Sequence, residues 1–252
     1  MLVLLPPSET KRDGGVDGSS LDLAALSFPA LTPARSSTIA ALSRLSRSVA
    51  DSNASLGLGP TQRFEIDRNR AVRTSPTMPA IERYTGVLYD GLDTATLASA
   101  SRAWLDAHVA VHSALLGLVM AGDPIPAYRL SHNSKLAGLH LTKHWRDAVS
   151  AALHEHDGFI LDLRSEAYVA MGPAPASDRS RYLRVVSAAS DGTKRALNHF
   201  NKKGKGELVR ALAESGVDHS SVDELVAWAG GRGIRLEHGS AGSPENELFL
   251  VV

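Results

Sequence analysis

The sequence predicts a mixed α/β fold, a central mixed sheet with helices around it, formed by residues 1–252 as a single compact domain. Three observations carry that expectation. Short apolar runs such as Leu2–Leu5, 159–163 and 182–186 are too brief for core helices and lack polar alternation, so they read as buried strands. Between them, Ile39, Leu42, Leu45 and Val49, and later Trp145, Val149 and Leu153, recur at helical spacing. With 252 residues, 43% of them hydrophobic, the chain has material for a sizeable core.

In order along the chain, the strand Leu2–Leu5 stops at Pro6-Pro7, which cannot donate ladder hydrogen bonds. Residues 13–35 are rich in Gly, Ser and Pro and read as a loop enclosing one short helix at Leu21–Leu26. A helix is expected over 36–52. Arg68, Arg70 and Arg73 follow, either a contact surface or a solvated face. Residues 99–108 read as helix, and Val109–Ser113, followed by Gly117, as a β-branched buried strand. A helix over 142–155 precedes strands at 159–163 and 182–186, with one or two helical turns between them at 165–171. The basic segment 193–214 reads as a long or broken helix. Gly204 and Gly206 each cost roughly 1 kcal/mol against alanine and suggest a break. A helix at 221–229 ends at Gly230-Gly231, and 234–237 and 247–252 resemble a hairpin with a long loop.

Composition excludes several classes of function. There are no cysteines, hence no disulfide, thiolate nucleophile, cysteine-ligated zinc or iron–sulfur cluster, and a reduced cytosol is expected. Lys+Arg and Asp+Glu are both 27, so polyanion binding would need a local patch. No run approaches the roughly eighteen apolar residues of a membrane span, and Met1–Leu5 reads as neither anchor nor signal peptide. The P-loop, GxSxG, GxGxxG and EF-hand patterns are missing. The pairs His108/His112 and His140/His144 have i, i+4 spacing, but neither has Glu directly after its first His, so no metal and no cofactor is expected.

Four polar clusters sit beside strand ends or glycine turns. Ser8, Glu9, Thr10 and Lys11 offer a carboxylate, an ammonium and hydroxyls, or an ordinary surface turn. Arg83, Tyr84, Gly86, Tyr89 and Gly91 offer stacking faces and close backbone approach, or a strand and turn packed on the core. Tyr128 and Arg129 offer a planar guanidinium for a carboxylate or phosphate, or a structural ion pair. His199, Lys202, Lys203, Gly204, Lys205, Gly206 and Arg210 form the strongest positive patch, a phosphate cradle or a solvated helix.

Together with a fifth element ending at Tyr168, these clusters in this order resemble the YaaA family of peroxide-stress proteins over nearly the whole chain. Met1–Lys11 resembles the family's opening strand and its turn. Arg83–Leu92 resembles its basic-Tyr-x-Gly-x-x-Tyr-x-Gly-Leu segment, the most specific match. Pro126–Leu130, Leu163–Tyr168 with Ser165, and Lys202–Gly206 with Arg210 resemble three further elements. The chain departs from the pattern at Met120, where the family often has arginine, at Ala127, which separates Pro126 from Tyr128, and at Glu166, one residue early. The resemblance implies a compact α/β domain of unusual topology, a cytosolic location, and a role in limiting hydrogen-peroxide damage and free iron. It also implies DNA binding through a helix-hairpin-helix-like stretch, here Val49–Asn69 with Gly57 and Gly59 in the hairpin.

Two functions follow as expectations for a monomer without membrane attachment. One is binding of double-stranded DNA through the 194–210 patch, with Gly57, Gly59, Lys202 and Lys205 as contacts. The other is an enzyme acting on an anionic nucleotide-like or nucleobase molecule. Glu9 and Lys203 would be its catalytic groups, and Ser8, Lys11, Arg83, Tyr84, Gly86, Tyr89, Tyr128, Arg129, Ser165, Tyr168, Lys202, Lys205, Gly206 and Arg210 its binding groups.

Overall fold

The computed structural model describes residues 1–188, 194–196, 200–239 and 246–252. Its first half runs β1 (Leu2–Leu5), α1 (Thr32–Leu45), α2 (Val49–Leu56), α3 (Phe64–Arg70), β2 (Met78–Pro79), α4 (Ala80–Arg83), α5 (Val87–Leu92), α6 (Ser99–His108), β3 (Val109–Ser113), β4 (Gly117–Met120) and β5 (Pro124–Ile125). The second half runs α7 (Leu141–His154), β6 (Ile160–Asp162), α8 (Glu166–Val169), β7 (Ser180–Ala188), β8 (Lys194–Ala196), α9 (Phe200–Ser215), α10 (Val222–Gly230), β9 (Leu236–His238) and β10 (Glu247–Val251). Among these residues no helix is long and apolar enough to cross a membrane.

The main sheet has the order β4-β3-β1-β6-β7-β10-β9, with β8 pairing on β7 and a separate β2–β5 pair. β1 lies between two parallel neighbours, with Val3 opposite Val109 of β3 and Leu4 opposite Asp162 of β6. β6, β7 and β10 continue the parallel run, and β4 and β9 close the path as antiparallel strands. A strand covered on both faces must be apolar throughout, and Leu2, Val3, Leu4 and Leu5 are buried accordingly. The chain leaves β1 toward β3 on one side and later returns to β6 on the other. The carboxyl ends of β3, β1 and β6 therefore meet at a topological switch point, where open α/β sheets leave a crevice for ligands.

Three sequence expectations are corrected. The helix expected over 36–52 is divided into α1 and α2, because Ser48 adopts an extended backbone and its hydroxyl caps the Asp51 amide. The spacing of Ile39, Leu42, Leu45 and Val49 survives that break, which hid it. From Phe200 to Ser215 the basic segment is one continuous α9, not broken at its glycines, whereas 194–196 form strand β8 on β7 instead of helix; the expectations at 193 and 197–199, His199 among them, lie outside the described residues. Gly206 stands where α9 crosses α5, and a Cβ there would lie 2.0 Å from the Leu88 carbonyl oxygen. The close crossing offsets the low helix propensity. The expected 21–26 helix is a single 3-10 turn at Leu23–Ala25 capped by Asp22.

Gly206→Ala is expected to lower unfolding stability by about 2 kcal/mol through overpacking. Gly230→Ala, at the end of α10 with nothing within 4 Å of the added carbon, stays neutral or stabilises slightly. Urea denaturation of both variants checks the contrast.

Candidate functional site

The first two clusters are brought together by the backbone. Arg12 N–H donates to the Arg83 carbonyl at 2.9 Å, Thr85 N–H donates to Thr10, and Lys11 forms an antiparallel bridge with Tyr84. The turn between α4 and α5 requires glycine at Gly86, whose φ is +100°. Its open side faces the hydroxyls of Ser8 and Thr10, and Thr85 donates to Thr10 at 2.9 Å.

Lys11 is the centre of the site. Its ammonium donates to the Ser8 carbonyl at 3.0 Å and the Glu9 carbonyl at 3.3 Å. It also lies 4.1 Å from the ring centre of Tyr128 and 5.3 Å from that of Tyr84. Burial lowers its pKa to about 7, with Arg129 and Arg68 adding to the shift and Glu65 and Glu9 opposing it. The amine thus exchanges a proton near neutral pH. Beside it, Arg129 donates to Glu9 Oε2 at 2.7 Å, and the Arg129 side chain is 9% exposed against 60% for Glu9. Asn69 fixes the Arg129 backbone by two reciprocal hydrogen bonds.

Four tyrosines surround this group. Tyr84 stacks on Tyr89, and the Tyr89 hydroxyl donates to the Pro6 carbonyl just past β1. Tyr84 and Tyr128 join hydroxyls at 2.7 Å, and Tyr128 joins Ser113, the last residue of β3, at 2.6 Å. Tyr168, on α8, meets His112 and His132 edge-on. Burial pushes all four phenols above their ordinary range, so they are neutral donors at physiological pH.

Residues at the carboxyl ends of β3 and β6 that sequence reasoning missed or undervalued meet beside this group. Arg164, fully buried, holds Asp162 through two side-chain contacts of 2.9 and 2.6 Å and donates to His112 Nδ1 at 2.9 Å. His112 is fully buried, and burial together with Arg164 keeps it neutral. Its proton is therefore on Nε2, which has no partner among the described residues. Ser113 and Arg164 carried one available signal: the first ends and the second immediately follows a run legible as a strand. Lys205 reaches the same edge from α9 and donates to the Leu163 carbonyl at 3.0 Å, with its pKa lowered by burial to about 8. It interacts with Asp162, Arg184 and Glu166, which line an adjoining cleft of about 390 Å³.

Other expected site residues lie elsewhere or are occupied. Arg83 donates to the carbonyls of Ile125, Arg12 and Pro76, so its guanidinium ties three backbone segments. Arg210 similarly holds the carbonyls of Leu92 and Asp93 and pairs with Glu214. Gly206 serves the α5–α9 crossing. Lys202 and Lys203 are exposed on α9, Lys203 paired with Glu207, while Ser165 is exposed just before α8. The turn between α2 and α3 uses its own amides: Gly57 and Leu58 donate to the Asn53 carbonyl and Gly59 to the Gln62 side chain. Arg68 pairs with Asp13 and Glu65, and Arg70 with Asp67. The histidine pairs are separated too. His108 ends α6 and donates to the Met1 carbonyl, whereas His140 caps α7 and His144 contacts Thr38 and the Ala34 carbonyl.

Comparison with known proteins gives a consistent assignment. A family described as "Peroxide stress protein YaaA" matches residues 1–232. A UPF0246 protein of Corynebacterium efficiens is 44% identical over 244 residues, covering 94% of this chain and 95% of that protein. A UPF0246 protein of Corynebacterium glutamicum is 41% identical over the whole of both chains. One from Streptomyces coelicolor is 40% identical over 90% of this chain and 88% of its own.

The lowered pKa of Lys11 has a signed consequence for stability. Below about pH 7 the lysine is protonated in both folded and unfolded states; between about 7 and 10.5 it is neutral only when folded. Unfolding then takes up a proton, and stability rises with pH across that window. A Lys11→Met variant lacks that rise, so the stability difference between wild type and variant shifts toward the wild type from pH 7 to pH 9. Urea denaturation at the two pH values measures it.

Proposed function

Because the chain belongs to the family of the peroxide stress protein YaaA, we propose that it serves the peroxide response by binding an anionic, nucleotide-like small molecule at the carboxyl edge of β3, β1 and β6. The observation that carries this reading is the convergence of buried Lys11 and Arg129 on a switch point walled by tyrosines. A planar guanidinium held by Asn69 suits bidentate recognition of phosphate or carboxylate. Glu9 occupies Arg129 in the free protein; an incoming anion displaces it and leaves the carboxylate beside Lys11, whose amine exchanges a proton near neutral pH. An enzyme, rather than a passive carrier, follows from such a pair. Lower free iron is then an indirect effect of the chemistry at this site.

Duplex DNA is the second reading, favoured by α2 and α3 flanking the Gly57-Leu58-Gly59 turn and by exposed Lys202 and Lys203. Against it, the turn's amides already have acceptors, and Arg68 and Arg70 already face carboxylates. A phosphate backbone would have to displace those partners.

Calorimetric titration with ribose 5-phosphate separates the two. Arg129→Ala should weaken binding by about tenfold to a hundredfold, as loss of a charged hydrogen bond implies, and a Lys202→Ala/Lys203→Ala variant should bind as wild type does. Duplex binding that falls steeply with salt and disappears in the lysine variant, with no small anion bound, would overturn the proposal.

A further inference from the structure

Helix α3 serves two places at once. Its Asn69 side chain holds the Arg129 backbone of the anion site by two hydrogen bonds, while Phe64, Asp67 and Arg68 line a cleft of about 460 Å³. Other walls tie that cleft to the same site, for Asp13 lies two residues beyond Lys11 and Ala127 two residues before Arg129. The charge of Arg68 also acts on Lys11, as one of the causes of its lowered pKa. The cleft therefore adjoins the anion site.

Its lining suits a flat ring. Phe64 is 50% exposed and is the exposed aromatic side chain among the described residues. A lone exposed apolar side chain is ordinary, but this one forms a cavity wall and carries the Arg68 guanidinium 4.7 Å from its ring centre. Ion pairs of Arg68 with Asp13 at 2.5 Å and Glu65 at 3.1 Å hold the guanidinium over the ring. A ring fixed in this way presents its remaining surface to a heterocycle. Gly14, Ala71 and Ala127 bring little or no side chain into the space, so it stays open. Asp67 follows Phe64 by three residues, which puts both on one side of α3. It holds Arg70 through Oδ1 and is 66% exposed, and its Oδ2 has no partner among the described residues. The wall thus offers a stacking face and, one turn along, a carboxylate oxygen that accepts.

Resting on the anion-site reading above, we propose that this cleft receives the base of the bound nucleotide, and that the base is guanine-like, with a ring N–H beside an exocyclic amino group. Stacked on Phe64, such a base turns its pair of donors toward Asp67, while its phosphate lies at Arg129 and Lys11. A carboxylate accepts only, so it matches two adjacent donors. Adenine instead places a ring acceptor beside its amino group, and the carboxylate repels it. Asp13 and Glu65 act as positioning residues that keep Arg68 over the Phe64 ring.

Calorimetric titration with guanosine 5′-monophosphate, adenosine 5′-monophosphate and ribose 5-phosphate tests the assignment. The guanine nucleotide should bind about tenfold or more tighter than ribose 5-phosphate, the gain expected from stacking one base, and tighter than the adenine nucleotide. Phe64→Ala should bring the guanine nucleotide down to the affinity of ribose 5-phosphate, and Phe64→Tyr, which keeps the ring, should retain the gain. Asp67→Asn should narrow the gap between the two nucleotides. A guanine nucleotide bound no tighter than ribose 5-phosphate or the adenine nucleotide, or one whose affinity Phe64→Ala leaves unchanged, overturns this inference and leaves the anion site standing. No binding of any of the three by wild type overturns both.

Discussion

Parallel pairing on both sides of β1 is the constraint on which the rest of the structure depends. A strand hydrogen-bonded to parallel neighbours and covered on both faces cannot carry polar side chains along its length, so its chemistry is forced past its end. Pro6 and Pro7 terminate the ladder there, and the next four residues carry the hydroxyls, carboxylate and amine of the site. Because β3 and β6 run in the same direction as β1, Ser113 and Arg164 emerge at the same edge. The site is a consequence of strand direction before it is a consequence of any side chain.

Buried arginines stabilise that edge by spending their charge locally. Arg83 fastens the 76, 12 and 125 carbonyls, Arg35 fastens those of Ser27, Leu116 and Leu118, and Arg164 joins Asp162, His112 and Gly172. Arg83 and Arg35 each satisfy three carbonyls that would otherwise be buried without donors, and Arg164 satisfies one carbonyl, a carboxylate and an imidazole nitrogen. Arg129 differs, since its side-chain partner is the exposed Glu9 carboxylate, a group that can swing into water at little cost. Position in the hydrogen-bond network, more than residue type, separates the arginine that can receive a ligand from those that hold the fold.

Much of this was legible in the sequence where local pattern and final environment agree. Leu2–Leu5, Val109–Ser113 and the 159–163 run are short and apolar, and they form the three strands that define the site. The turn at Ser8–Lys11, Tyr84 with Tyr89, Tyr128 with Arg129, and Tyr168 were each visible as polar clusters, and the structure places them at one edge. The division of α1 from α2 was hidden because the apolar spacing continues across Ser46–Ser48. The continuity of α9 was hidden because the glycine cost is local while the α5 crossing that offsets it comes from a distant segment. Ser113 and His112 escaped notice as site residues because their significance lies in contacts with Tyr128 and Arg164, 15 and 52 residues away. Arg83 and Arg210 show the opposite failure, matching sequence elements while their donors are absorbed by backbone carbonyls.

The most direct test of the account is amide chemical-shift mapping of the labelled protein titrated with ribose 5-phosphate. Perturbations should concentrate at residues 6–11, 84–86, 112–113, 128–132 and 163–168, the segments that meet at the carboxyl edge of β3, β1 and β6. Perturbations centred instead on 57–59 and 202–203, with that edge silent, would contradict a single anion site built on the direction of β1.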